Sequence, residues 1–360
     1  MGGGDLNFKT MGIVETDWKN LFEEILECEV FTVRGMLESL LTIVKPQGVE
    51  SISPREKLEN SSWNLTKSYK NRIREFLIEK IIFILGITAL LIMGLIFVFL
   101  IQTGIRLFED VSLGQFLFGR EWYPNATNPR FGILPMIVGS LMVTLGAILI
   151  SVPIGIGSAI FIAEVAPPKT KTVFKLIIEF LSAIPSVVLG FLGIVVLSNW
   201  VRISFNLSSG FTVLTGSIII ALMALPTIIS VSDDAIRALP DEYKEASLAL
   251  GASKWETIKN VLLPAASSGI IAAVMLGVGR AIGETMAVMM VMGNAVQIPS
   301  TYLESGRTLT ATIAAEMGDT VRNGTHYNAL FAIGVVLLIM TTIINTISEW
   351  VLHRAQREGK

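Results

Sequence analysis

The chain has 360 residues, 52% of them hydrophobic and only 16% charged, with a formal net charge of −2. A soluble domain carries about 25% charged residues, so this composition is that of a membrane protein, and no basic patch beyond the membrane flanks points to nucleic acid. The single cysteine, Cys28, excludes an intramolecular disulfide or a cysteine-based metal cluster, and His326 and His353 lie on different segments, so no metal site is expected.

In chain order, residues 1–75 read as a tail. Trp18, Leu21, Phe22, Ile25 and Leu26, then Met36, Leu37, Leu40 and Leu41, recur at helical spacing, which predicts amphipathic helices lying on the membrane or on a partner. Ser53–Lys67 is a polar linker. The first hydrophobic segment begins near residue 77, too late for a cleavable signal peptide, and is read as an anchoring span.

A spanning helix needs about 20 apolar residues. Six stretches qualify: Ile81–Ile101, Phe131–Ala163, Leu176–Ser198, Phe211–Ser232, Pro264–Met292 and Asn328–Leu352. Pro135 and Pro153 predict a kinked second span. Glu179, near the start of the third, is expected to pair with Lys175 or reach the interface, while Glu164, Asp233 and Asp234 mark span ends. The expected architecture is an all-α integral membrane protein with a six-span domain over residues 76–356.

Orientation follows from the Lys and Arg flanks. One side holds Lys67, Lys70, Arg72, Arg74, Lys80, Lys169, Lys171, Lys175, Arg237, Lys244, Lys254, Lys259, Arg354, Arg357 and Lys360, fifteen in all. The other holds six: Arg106, Arg120, Arg130, Arg202, Arg307 and Arg322. Both termini are therefore expected in the cytoplasm, with the chain in the cell's inner membrane.

Between the fourth and fifth spans lies "RALPDEYKEASLALGASKWETIKNVLLP", residues 237–264. Pro240 suits a first helical position, and Asp241 and Glu242 complement the positive end of the helix that follows. Gly251 is a helix stop, and Ser253 with Glu256 has the spacing of a capping box, so a helix, a glycine turn and a second helix are predicted. This segment resembles the EAA loop of ABC importer permeases, with Glu245, Ala246, Gly251, Leu263 and Pro264 at matching positions, Ser247 in place of the third small residue and Val261 in place of isoleucine. The resemblance implies that the loop docks into a groove of an ATPase subunit, with Glu245 as the charged contact and Gly251 as the turn. The chain carries no G-x-x-x-x-G-K-[ST] loop, so ATP and Mg are expected on that separate subunit, no cofactor is expected in this chain, and the chain is not expected to be an enzyme.

Within the fifth span, "GRAIGETMAV" keeps Arg280 and Glu284 in a stretch with no other charge. Such residues cost about 2.5–3.5 kcal/mol each at a membrane centre on insertion scales, so they face partners or water. Four residues apart, they are expected on one helix face, with Gly277, Gly279 and Gly283 around them opening room or allowing close approach. An intrahelical lock would use the same pair; lining a substrate path is favoured. A guanidinium suits an oxyanion, and a carboxylate accepts the P–OH proton of hydrogen phosphate but repels sulfate.

Residues 245–288 resemble the permease of the phosphate-specific (Pst) transporter, and the resemblance implies a part for this arginine and glutamate in phosphate passage, in which they are implicated in that family. "FGREWYPN" at 118–125, "FGILPMIVGSLMVTL" at 131–145 and "RTLTATIAAEMGD" at 307–319 resemble the PstC type more than its PstA sibling. The likeness covers about residues 77–355 and leaves out the tail. It implies the type I ABC importer (MetI-like) permease fold, a PstA-like permease partner, an ATPase dimer, an extracytoplasmic phosphate-binding protein, and phosphate as substrate across the lipid bilayer. Sulfate or molybdate on the same scaffold, or a signalling or scaffold subunit, are the alternatives.

Overall fold

The computed structural model describes residues 68–358, so the tail helices and most of the linker lie outside the described residues. The packing below is that of the unit Ala89–Lys360. Five helices are long and apolar enough to cross a membrane: Phe76–Glu109, Leu134–Val165, Ser186–Ser204, Val213–Arg237 and Thr325–Trp350. A sixth crossing is a broken one, in which Lys254–Ala265 and Ser267–Gly283 meet at a 70° bend.

The first helix, α1 (Ser68–Ile105), is followed by a short 3-10 turn, Arg106–Glu109. The outer segment then forms α2 (Leu113–Phe118) and a two-residue antiparallel pair, β1 (Trp122–Tyr123) with β2 (Arg130–Phe131), in register Trp122 to Phe131. This small hairpin and an isolated bridge between Gly293 and Gly306 are the β structure among the described residues, and the hairpin takes Phe131 out of the second span.

The second span, α3 (Leu134–Ile160), has Pro135 in its first turn and Pro153 inside it, and continues as a π turn over Phe161–Val165. It packs against α7 (Val213–Arg237), the most buried of the spans, and small residues make that contact possible. A Cβ on Gly146 would lie 2.4 Å from the Ser217 hydroxyl, and one on Gly155 would lie 2.6 Å from Ile228. Ser217 Oγ donates to the Val143 carbonyl across the interface at 3.2 Å.

The third span differs from the sequence expectation. Residues 176–183 belong to a separate amphipathic helix, α4 (Pro168–Ala183), none of whose residues is buried. Ile184 is extended, the conformation favoured before proline, and Pro185 opens α5 (Ser186–Leu192), which continues through a π segment into α6 (Asn199–Ser204). The apolar crossing is therefore shifted toward residues 186–204. Lys175 does not pair with Glu179; its Nζ lies 3.4 Å from Asp233 of α7 instead.

Beyond α7 come α8 (Asp241–Ala249), α9 (Lys254–Thr257), a π turn over Ile258–Leu262 and the short α10 (Leu263–Ala265). The fifth span, expected as one helix over 264–292, is instead α11 (Ser267–Gly283) and α12 (Met286–Val291), separated by Glu284 and Thr285. The outer loop over residues 293–306 folds back onto the start of α7. Carbonyls of Glu304 and Tyr302 accept from the Val213 and Leu214 amides, which satisfies helix-end donors in an apolar setting. Then α13 (Leu309–Glu316) and α14 (Thr325–Glu358) complete the body.

Among the buried apolar clusters two are the largest. In one, Phe116, Trp122, Phe131, Ile133, Met136, Leu309, Leu330 and Ile333 pack together. Around the α3–α7–α11 junction, Val143, Ala147, Ile220, Ala221, Ala281 and Val288 form another. By contrast α1 leaves its apolar side chains exposed along the length of its span, as a lipid-facing helix does.

Candidate translocation site and coupling loop

Helix α11 is two-faced. Ile270, Ala273, Gly277, Val278, Ala281 and Ile282 are buried, and a Cβ on Gly277 would lie 2.7 Å from Ile228 of α7. Leu276, Gly279, Arg280 and Gly283, spaced three and four apart, form the exposed stripe. A Cβ on Gly279 or Gly283 would meet nothing within 4 Å, so the space beside the Arg280 side chain is open.

Arg280 therefore stands on an exposed face of an apolar helix. No carboxylate reaches it within ion-pair distance among the described residues. Its one polar neighbour is the Thr227 hydroxyl of α7, at 3.5 Å, the outer limit of a hydrogen bond. Thr227 follows Pro226, which lacks an N–H and leaves a carbonyl of the preceding turn unpaired by the usual helix bond. Arg280 also lies in the last turn of α11, where the negative end of the helix favours a cation.

Glu284 is placed differently from the sequence expectation. The helix ends at Gly283, and Glu284 is extended, with φ −68° and ψ 131°. It does not share a helix face with Arg280, and the two make no ion pair. Instead its Oε1 accepts from the Ala287 amide at 3.2 Å, near the start of α12, and its carbonyl accepts from Thr310 Oγ1 of α13 at 3.0 Å. Its side chain is half-buried. The break in the span is thus held by Glu284 from both sides, and irregular backbone at membrane depth is tolerated where it is buried in protein or lines a cavity.

The loop over residues 237–264 follows the sequence reading closely. Helix α8 ends at Leu250, and Gly251 takes φ +85°. The Gly251 amide bonds to the Leu248 carbonyl and the Ala252 amide to the Ser247 carbonyl, the paired bonds of a glycine C-cap. Ser253 and Glu256 then form the reciprocal capping box of α9. The Glu256 carboxyl is held below its ordinary range, first by the backbone hydrogen bond from Ser253 and second by that residue's hydroxyl.

Burial divides the loop's functional candidates. Glu245, Ala246, Gly251 and Pro264 are exposed. Ser247 is buried, and its hydroxyl lies 3.0 Å from that of Thr257, which joins α8 to α9. Leu250 is 90% exposed and Trp255 63%, with Tyr243 and Leu248 beside them. An exposed apolar surface of this kind is what a protein or membrane contact covers.

Two connections were not legible as connections in the sequence. Lys244 of α8 forms an ion pair with Glu164, in the π turn that ends the second span, across 80 residues of chain. Buried Asp233 accepts from Arg237 Nε at 2.7 Å and faces Lys175 of α4 at 3.4 Å. The loop is thus tied to the second span, and the end of α7 to α4. Only the i,i+4 spacing of Asp233 and Arg237 could have been anticipated.

A bent span, irregular backbone at membrane depth and a capped helical hairpin at the membrane surface define a transporter permease. The chain belongs to the binding-protein-dependent transport system inner membrane components, whose family model matches residues 151–357. It is a multi-pass inner-membrane permease of the ABC importer class, a class that works with an ATPase and a substrate-binding protein. It is 40% identical to the probable ABC transporter permease protein YqgH of Bacillus subtilis, over 71% of this chain and 84% of that one. Phosphate transport system permease proteins PstC are 34% identical in Xylella fastidiosa (68% of this chain, 80% of that one) and 32% identical in Haemophilus influenzae (76% and 92%). Among solved structures, a bacterial alginate ABC transporter chain matches with a TM-score of 0.58 at 16% identity, over 82% of this chain and 99% of that one. A chain of the MetNI methionine ABC transporter matches at 0.50 and 17%, over 62% and 95%. These two likenesses concern the fold, which is MetI-like.

Proposed function

We propose that this chain is the PstC-like subunit of an ATP-driven phosphate importer, with both termini in the cytoplasm, and that Arg280 and Glu284 line its phosphate path. The observation that carries the reading is Arg280: a permanent cation on an open face of α11, with no carboxylate to neutralise it. The names of the PstC relatives support phosphate as the anion. The open face needs a second wall, which a PstA-like permease would supply, with an extracytoplasmic phosphate-binding protein delivering the anion. The guanidinium binds the phosphate oxygens through charge-assisted hydrogen bonds. Glu284, at the break, accepts the proton of hydrogen phosphate, a group that sulfate lacks.

Alternating access would be driven through the loop at 237–264. The exposed Glu245, Ala246 and Leu250 enter a groove of the ATPase dimer, which holds ATP and Mg. Gly251 sets the angle between the two loop helices, the Ser247–Thr257 contact keeps them together, and Pro264 stands at the entry to the bent fifth span. ATPase closure moves the loop as one piece, and the Lys244–Glu164 pair carries that motion to the second span.

The test is uptake of labelled phosphate into proteoliposomes holding the full complex, binding protein and ATP. Arg280→Gln is expected to reduce uptake by more than tenfold while assembly and ATPase docking survive, the loss expected when a charge-assisted contact worth about 1.5–3 kcal/mol is removed. Glu284→Gln is expected to weaken discrimination against sulfate. Unchanged uptake in Arg280→Gln would remove the arginine from the path.

A further inference from the structure

Six arginines flank the spans on the side opposite the fifteen-residue Lys and Arg group, and three of them are engaged. Arg130 pairs with Glu121, Arg307 donates to Glu316 at 2.6 Å, and Arg202 donates to Asn199 Oδ1 at 2.9 Å. Arg106 and Arg322 have no such partner among the described residues, yet both line one cavity of about 560 Å³. Arg120 is also unpartnered but lies outside that cavity.

The cavity sits where α1 ends and α14 begins. Gln102 and Thr103 line it from α1, and Asn323 and Tyr327 from the turn into α14. No carboxylate is among its lining residues. Glu109 and Asp110 follow Arg106 by one turn, but neither comes within ion-pair distance of either arginine, and Asp110 Oδ2 accepts instead from Thr325 Oγ1 at 3.3 Å.

Its walls are held firmly. A Cβ on Gly104 would come within 3.1 Å of the Ala332 backbone, so α1 and α14 touch just below the opening. Phe331 packs edge-on against Phe99 at 5.3 Å between centroids and tilted against Tyr327 at 4.7 Å. Asn323 takes φ 61°, a conformation that non-glycine residues adopt at a cost and that here turns the chain into α14.

Two guanidiniums, two side-chain amides and two hydroxyls around one space form a donor-rich, uncompensated positive site. The planar fork of a guanidinium matches the oxygens of a phosphate group. The positive end of the 34-residue α14 adds the same sign of potential. We infer that the Arg106–Arg322 cavity binds a phosphate-bearing anion at the outer end of α1 and α14, as a second anion site remote in the fold from Arg280. Two sources share that chemistry: inorganic phosphate in solution, and the headgroup of an anionic phospholipid beside the lipid-facing α1.

The experiment separates them. The full complex is placed in nanodiscs of phosphatidylcholine, with or without phosphatidylglycerol, without ATP or binding protein, on an Arg280→Gln background that silences the proposed path. Retained phosphatidylglycerol is counted by native mass spectrometry, and labelled inorganic phosphate is measured by equilibrium dialysis. Arg106→Gln with Arg322→Gln is expected to weaken one of the two by at least about tenfold, and Arg202→Gln to leave both unchanged. Arg106→Lys with Arg322→Lys keeps the charge but not the fork, and is expected to fall between. Loss in the lipid arm identifies a headgroup site, and loss in the dialysis arm a free-oxyanion site. Equal retention by wild type and the double glutamine variant in both arms overturns the inference, whatever becomes of Arg280 in uptake.

Discussion

Gly251→Ala isolates the conformational role of the turn in the coupling loop. Gly251 has φ +85°, and an added Cβ would meet nothing within 4 Å, so the substitution introduces no clash. What remains is the cost of a left-handed conformation for an L-residue, about 1–2 kcal/mol, applied to the bonds from Gly251 N to Leu248 and from Ala252 N to Ser247. One kcal/mol corresponds to about a fivefold change in an opening equilibrium. Hydrogen exchange of the Gly251 and Ala252 amides should therefore speed up by about five- to thirtyfold, with the amides of α7 unaffected. Gly251→Asn should cost less, because asparagine visits this region more readily. Equal effects of alanine and asparagine, or no change in exchange for either, would refute the conformational argument. In the assembled complex the same variant should lower transport per ATP hydrolysed, since the hairpin angle is no longer held.

Three further outcomes are expected. Asp233→Asn removes the anion, 4% exposed, that faces Lys175 and Arg237; because those cations are 45% and 32% exposed, water takes up part of the loss. The cost should be about 2 kcal/mol, below the 3–5 typical of a fully buried pair, read from thermal unfolding in detergent. A double-mutant cycle of Glu164→Gln and Lys244→Gln should give a coupling of about 1 kcal/mol, and additive effects would exclude the tie between loop and second span. For the capping box, the sign follows from the lowered Glu256 carboxyl: its contribution is present above the unfolded carboxylate value and is lost as pH falls through the lower folded value. Exchange in α9 should rise only as pH falls below the ordinary carboxylate range, and Ser253→Ala should move that rise to higher pH while weakening the cap by about 1 kcal/mol at neutral pH.

Much of this molecule was written locally. The spans follow from runs of apolar residues, because the bilayer demands a length of helix and nothing finer. The coupling hairpin follows from Pro240, Gly251, Ser253 and Glu256, each of which acts on backbone groups within four residues of itself. Such signals survive without tertiary context. The charges that could not sit in lipid, Arg280 and Glu284, were equally legible as residues that need a reason.

Their arrangement was not. Four-residue spacing puts two side chains on one face only if the helix continues, and here it stops at Gly283. What holds the break is the Thr310 hydroxyl on the Glu284 carbonyl, a contact from 26 residues away that no local pattern announces. The third span moved for a related reason: apolar composition runs through Pro185, but there the backbone turns extended at Ile184, so α4 separates as its own helix. The partners of Lys244 and Lys175, and the shared cavity of Arg106 and Arg322, depend on which helices pack together. By itself the sequence determined which regions are apolar enough to enter the membrane and how the helices of the coupling hairpin begin and end, because hydrophobic length and capping are short-range. Only the tertiary structure decided which charges meet, which stay open and where the fifth span breaks, because those depend on contacts between residues far apart in the chain.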